Sequence, residues 1–134
     1  MKLHHIAIVI NSIEKQLSWY CEVYRAVPIG KKIFIDNNQK VKVQFIKSGD
    51  GSRIELLEPL NRNSPVKSHL DKYGSGSIYH VAYEVDNLDE TELAIRKKGG
   101  LIISRSRNGW NGMEVMFAIF MDGDEQQLIE YVVP

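Results

Sequence analysis

The sequence predicts an α+β protein made of two like halves, each a strand, a helix and three strands. Three observations carry that expectation. The stretch "LHHIAIVI", residues 3 to 10, returns as "IYHVAYEV", residues 78 to 85, with His5 and His80 at the matching place. The order of strand-like and helix-like patterning that follows each copy is the same. One offset also relates four residues of unusual setting: His80 follows His5 by 75 residues, and Glu130 follows Glu55 by 75.

In the first half, "HIAIVI" is the opening strand. Asn11 with Glu14 three residues on has the form of a capping box. The helix "SIEKQLSWYCEVYRAV" then places Ile13, Leu17, Tyr20, Cys21 and Tyr24 on one stripe, and Pro28 is expected to end it. Strands "KKIFID", "VKVQFIKS" and "SRIELLEPL" follow, with "DNNQ" and "GDG" as the turns. Ser64 as N-cap, Pro65 at the first helical position and Gly74 at the end define a short connecting helix. In the second half, "IYHVAYEV" is a strand and Asp86 is expected to cap the helix "NLDETELAIRKKG", closed by Gly99 and Gly100. "LIISRSR", "MEVMFAIFM" and "QQLIEYVV" are the remaining strands, the last two joined by "DGDE". The expected organisation is one domain over residues 1–134: module one at about 1–60, the connecting helix at about 64–74 and module two at about 76–134.

Composition bounds the function. Hydrophobic residues make 43% and charged residues 25%, an ordinary globular balance. Seventeen Lys and Arg against seventeen Asp and Glu leave no basic surface for nucleic acid. The single cysteine, Cys21, allows no internal disulfide and fits a reducing cytoplasm. No apolar run approaches the ~20 residues of a membrane span.

The chemistry lies with the four residues on one offset. A single histidine on an apolar strand is ordinarily a hydrogen-bonded core residue. Glu55 and Glu130 are odder: each sits among residues that favour burial, where a carboxylate is costly unless paired or bound to metal. Packing of the two halves about a local two-fold axis would bring equivalent strands, and so these four side chains, to one cavity. Two imidazoles and two carboxylates suit Zn²⁺, Ni²⁺, Co²⁺, Mn²⁺ or Fe²⁺, with positions left for water or substrate. Ala7 and Ala82 share the face of the histidines and leave room there.

At these residues the chain resembles the vicinal oxygen chelate superfamily, which holds glyoxalase I, methylmalonyl-CoA epimerases, extradiol dioxygenases and antibiotic-resistance proteins. "HHIAIVI", "IELLEPL", "SPVKSHLDKYGSGSIYHVAYEVDNLD" and "LIEYV" are similar to the epimerase branch in particular. The resemblance implies two βαβββ modules related by pseudo-two-fold symmetry, forming a cupped mixed sheet around a divalent metal. It implies His5, Glu55, His80 and Glu130 as metal ligands, with Glu130 and Glu55 also the candidates for proton transfer. It further implies a small-molecule substrate such as an acyl-CoA thioester, and pairing of two copies. The chain departs from the branch at Tyr79, often a second histidine there, at Trp110 in "SRNGWNGMEV", and at Met121, Asp122 and Gly123, which replace a His-Pro-Lys stretch. Trp110 and Met121 are therefore candidate substrate contacts, with Trp110 a candidate lid, and Gln44 is a candidate cavity residue. His4 should face away from the site, and His69 is expected at the surface. The implied activity is a metal-dependent isomerase or lyase removing a proton α to a thioester carbonyl. Glyoxalase I chemistry and a drug-sequestering, bleomycin-resistance-like module are the alternatives.

Overall fold

The structure, a computed structural model, describes residues 1–134. Its elements are β1 (Lys2–Val9), α1 (Ile13–Tyr24), β2 (Ala26–Asp36), β3 (Val41–Ser48), β4 (Arg53–Pro59), α2 (Pro65–Tyr73), β5 (Ser77–Glu84), α3 (Leu88–Lys97), β6 (Leu101–Ser106), β7 (Glu114–Asp122) and β8 (Glu125–Val133). Strand, helix and three strands occur twice, and the eight strands belong to one mixed sheet, as the sequence predicts. The chain divides into two compact units: His5–Tyr79, and Met1–His4 with His80–Pro134.

Within His5–Tyr79 the strands run in the order β2-β3-β4-β1. β1 and β4 are parallel, with Ala7 opposite Glu55, and β3 and β4 are antiparallel, with Phe45 opposite Glu55. Period-two alternation splits these strands into two faces. Ile8, Ile10, Ile46 and Leu56 pack against Ile13 and Tyr20 of α1, forming the buried core on one face. Each such fully buried aliphatic side chain contributes about 1.5–3 kcal/mol relative to exposure. His5, Ala7, Phe45 and Glu55 occupy the other face.

Two boundaries in this half differ from expectation. Ser12, not Asn11, is the N-cap of α1: its Oγ accepts from the Lys15 N–H at 3.2 Å, and its own N–H donates to Gln16 Oε1 at 3.0 Å. The pairing of β1 with β4 runs one residue further, through the Ile10 N–H to Leu57 O at 2.8 Å, and the chain bends at Asn11 before the helix. Glu58 Oε1 then accepts from the Ile13 N–H at 2.8 Å, fastening the helix N-terminus to β4. Nor does Pro28 end the helix. α1 stops earlier, at Arg25 in the left-handed region (φ 50, ψ 51). Pro28 lies inside β2, which pairs with β3 alone, the edge position where a strand tolerates a missing N–H. The predicted "KKIFID" is the second part of this longer strand, beyond an irregularity between Ile29 and Phe34.

The other unit orders its strands β5-β8-β7-β6. β5 and β8 are parallel, with Ala82 opposite Glu130, and β7 and β8 are antiparallel, with Phe117 opposite Glu130. Leu88 and Ile95 of α3 cover Met116, Ala118 and Tyr131. Asn87 rather than Asp86 caps α3, its side chain accepting from the Glu90 N–H at 2.9 Å. Gly100 is required where α3 turns into β6, since a Cβ there would stand 2.4 Å from Ile95 Cγ2 and 2.8 Å from Phe120 Cε1.

Candidate metal centre

Each half builds the same pair of donors from its first and last strands. In the first, β1 carries His5 and its parallel neighbour β4 carries Glu55; His5 Nε2 stands 3.4 Å from Glu55 Oε1. In the second, β5 carries His80 and β8 carries Glu130; His80 Nε2 stands 3.3 Å from Glu130 Oε2. All four residues are buried. Ala7 and Ala82, both fully buried, sit directly opposite Glu55 and Glu130 in the registers of the two parallel strand pairs. A larger side chain there would fill the space beside the carboxylate.

An aromatic edge steadies each imidazole. Phe45 meets His5 at 4.9 Å between ring centroids with planes 89° apart, and Phe117 meets His80 at 5.1 Å and 83°. These two phenylalanines escape sequence reasoning because the repeat hides them. Phe45 precedes Glu55 by 10 residues and Phe117 precedes Glu130 by 13, since the second hairpin runs further before turning between Asp122 and Glu125. Strand alternation around each glutamate was the available signal.

The donor set fits a divalent ion. His5, Glu55, His80 and Glu130 form a group able to hold a metal ion. Separations of 3.3 and 3.4 Å are long for a direct N–H to carboxylate bond. They match the spacing of two ligand atoms placed about 2.0–2.1 Å from one tetrahedral ion, which is roughly 3.3–3.4 Å.

Of the remaining predicted site residues, Gln44 is corrected. It lies one residue out of phase with Phe45, on the face that holds Ile46 and Leu56. Its Nε2 donates to Ile29 O at 3.1 Å and Phe45 O at 3.0 Å, bridging the place where β2 loses register with β3. Its amide is committed to the strand irregularity. Trp110 sits in a single 3₁₀ turn, Trp110–Gly112, and packs on Met113, Val115 and Val132, the last two residues beyond Glu130 on the same face. Backbone bonds from Gly109 N to Met113 O, Gly112 N to Gly109 O and Met113 N to Trp110 O fasten that turn. Met121 shares the alternation of Phe117 but is exposed near the end of β7. His4 alternates to the face opposite His5 and is buried. His69 is half-buried rather than at the surface, between the rings of Tyr73 (4.7 Å) and Tyr79 (5.1 Å).

This fold, with a histidine–glutamate pair repeated in each half, defines a class. The family model of the Glyoxalase/Bleomycin resistance protein/Dioxygenase superfamily matches residues 4–117, and the chain belongs to that superfamily. Within it, the chain is 31% identical over 122 residues to the mitochondrial methylmalonyl-CoA epimerase of Homo sapiens, a match covering 87% of this chain and 65% of that protein. The chain thus spans about 65% of the length of that relative. It is 33% identical over 117 residues to the uncharacterized protein YqjC of Bacillus subtilis, covering 87% of this chain and 81% of that one. Among solved structures, methylmalonyl-CoA epimerase from Mycobacterium tuberculosis superposes with a TM-score of 0.83 at 23% identity, over 99% of this chain and 87% of the other, a likeness of fold.

Proposed function

We propose that the protein is a metal-dependent epimerase acting on the α-carbon of a small acyl-CoA thioester of the methylmalonyl type. The observation that carries this reading is the repeated pair: two buried His–Glu pairs, 3.4 and 3.3 Å apart, on one 75-residue offset. Likeness to proteins named as methylmalonyl-CoA epimerases supports the substrate class. In this reading His5, Glu55, His80 and Glu130 together hold one divalent ion. When bound, such an ion supplies a Lewis acid that favours negative charge on the thioester oxygen.

The chain's own residues do the rest. Glu130 accepts the α-proton as general base, with Glu55 its counterpart on the other half. Phe45 and Phe117 hold the imidazoles in place by their edges. Ala7 and Ala82 keep the space beside each carboxylate open. The exposed Met121 and the fastened Trp110 turn flank the Glu130 face and contact the acyl group.

The test is proton exchange. Incubating methylmalonyl-CoA with metal-loaded protein in D₂O should place deuterium at the α-carbon. Glu130→Gln, which keeps the size of the side chain but accepts no proton at neutral pH, should slow that exchange by about 10²–10⁴-fold, with metal content measured alongside. Exchange no faster than in buffer, with turnover of the glutathione–methylglyoxal hemithioacetal instead, would move the assignment to glyoxalase I chemistry. Full metal loading with neither reaction would exclude both.

A further inference from the structure

The two halves supply matching donors but not matching neighbours. Resting on the epimerase reading above, we propose that Arg53 and Lys47 form an anion subsite that sets the direction in which the substrate lies, by binding an oxyanion of the thioester: its free carboxylate or a phosphate of its carrier.

Arg53 stands two residues before Glu55 on β4, and Lys47 two residues after Phe45 on β3. The antiparallel register sets Lys47 directly opposite Arg53, as it sets Phe45 opposite Glu55. Period-two alternation therefore gives these four residues one face, the face away from α1. In the parallel pair of β1 and β4, Ile6 is opposite Ile54, and the residues just before them are His5 and Arg53. His5, Glu55 and the two cations thus belong to three neighbouring strands of one compact unit, His5–Tyr79. Lys47 is exposed and Arg53 half-buried. The turn between them holds the register: the Ser48 N–H donates to Ser52 O at 2.9 Å and the Gly51 N–H to Ser48 O at 3.0 Å. Asp50, the acid of that turn, is engaged within it, its Oδ1 accepting from Ser48 Oγ and from the Ser52 N–H at 3.0 Å.

The repeat supplies the comparison. Leu128 follows Arg53 by 75 residues and stands two residues before Glu130, as Arg53 does before Glu55. Ile119, two residues after Phe117, is opposite Leu128, as Lys47 is opposite Arg53. Leu101 of β6 is in turn opposite Ile119. Where the first half sets two cations face to face, the second sets aliphatic side chains. Like charges directly opposite each other destabilise a strand pair, a cost that the second half avoids. An anion bound to both cations relieves that repulsion. A guanidinium takes two oxygens of a carboxylate or phosphate at once, and an ammonium adds a point charge.

A methylmalonyl thioester suits such a subsite. It carries a carboxylate on the α-carbon, and its CoA carrier carries phosphates. Two like His–Glu pairs give that molecule no preferred direction. The pairs beside them do, because Lys47 and Arg53 attract a charge and Ile119 and Leu128 offer it nothing.

The test follows α-proton exchange of methylmalonyl-CoA in D₂O, with metal-loaded wild type, Arg53→Gln, Arg53→Lys, Lys47→Met and Lys42→Met. Lys42 lies on the opposite face of β3, with its Nζ 3.2 Å from Glu58 Oε2, and is the control for net charge. Arg53→Gln should raise KM by about 10–100-fold, the loss of one charged hydrogen-bonded contact, with a smaller change in kcat. Arg53→Lys should restore part of that loss, and Lys47→Met should raise KM less than Arg53→Gln does. Salt should raise the KM of wild type and leave that of the Arg53→Gln, Lys47→Met double variant nearly level. The N-acetylcysteamine thioester of methylmalonate keeps the carboxylate and lacks the phosphates. A KM penalty in Arg53→Gln with both thioesters identifies the carboxylate as the bound anion; a penalty with the CoA thioester alone identifies a phosphate. Unchanged KM in both Arg53→Gln and Lys47→Met, or an equal rise in Lys42→Met, overturns the subsite while the epimerase reading stands. Absence of exchange in metal-loaded wild type overturns both. Should Arg53→Gln fail to fold by circular dichroism, the exposed Lys47 carries the test, and a KM and salt dependence in Lys47→Met identical to wild type overturn the subsite.

Discussion

At the scale of single residues, the same side-chain type takes different work from its surroundings. His5 and His80 face a carboxylate across 3.4 and 3.3 Å, whereas His69 faces rings. Burial, the largest cause, holds the His69 pKa below its ordinary 6.5; a bond with the Ile78 backbone opposes this, and the Lys72 charge adds to it. Its Nε2 is buried without a hydrogen-bond partner, which suits a neutral ring. The sign follows from linkage. With the folded pKa below the unfolded one, the unfolded chain takes up the proton first as pH falls. The stability tied to His69 is therefore present in full above pH 6.5 and is lost as pH falls toward the folded pKa. Replacing His69 with Phe, which keeps the ring contacts, should flatten the decline in melting temperature below that pH. An unchanged acid limb would show that His69 stays uncoupled from folding. Gln44 gives the complementary lesson: a polar residue buried in a strand marks a break in the backbone ladder as readily as a binding site.

At the scale of elements, caps and turns decide what the sequence pattern leaves open. Helix α1 was legible in its apolar stripe, but its first residue was not. The motif at Asn11 and Glu14 has the right form, yet the extra bond from Ile10 to Leu57 carries the strand pairing up to the bend at Asn11, and the extended Ser12 takes the cap. That competition is between a local motif and a strand pairing of long sequence separation, and the sequence window around Asn11 does not contain Leu57. Pro28 misled for a related reason: it follows the helix end, and it also suits an edge strand. The Trp110 turn is held by close packing around Gly109. A Cβ at Gly109 would come within 2.8 Å of Val115 Cγ1 and 2.9 Å of Met113 O. Gly109→Ala should thus cost about 1–3 kcal/mol in chemical denaturation, through displacement of the turn. It should also perturb the fluorescence of Trp110, while Trp19, exposed on α1, is unaffected. A variant of wild-type stability and spectrum would mean that the turn yields without cost.

At the scale of the whole molecule, the repeat is the organising fact. The succession of strand, helix and three strands in each half, and the four residues on one offset, could be read from two similar stretches; the order of strands in the sheet and the parallel pairs β1–β4 and β5–β8 could not, because pairing is set by contacts far apart in the chain. The phenylalanines behind the histidines could not be read, because hairpin length differs between halves and breaks the offset. The repeat also sets up a choice that metal binding decides. If the two His–Glu pairs serve one ion, wild type should bind one equivalent by elemental analysis, and His5→Ala or His80→Ala should each reduce it strongly, since three donors hold an ion less well than four. If each pair serves its own ion, wild type should bind two equivalents and either variant should keep one. Stability gives the second readout. A ligand that binds the folded chain stabilises it by RT ln(1 + [L]/Kd), about 2.7 kcal/mol at a hundredfold excess over Kd. Titrating Zn²⁺ into metal-free protein should raise the melting temperature of wild type, and both single variants should lose most of that rise while remaining folded, because the cores under α1 and α3 do not involve the four donors. A full rise in either variant would show that the pair it leaves intact binds metal alone, and the shared centre would have to be given up.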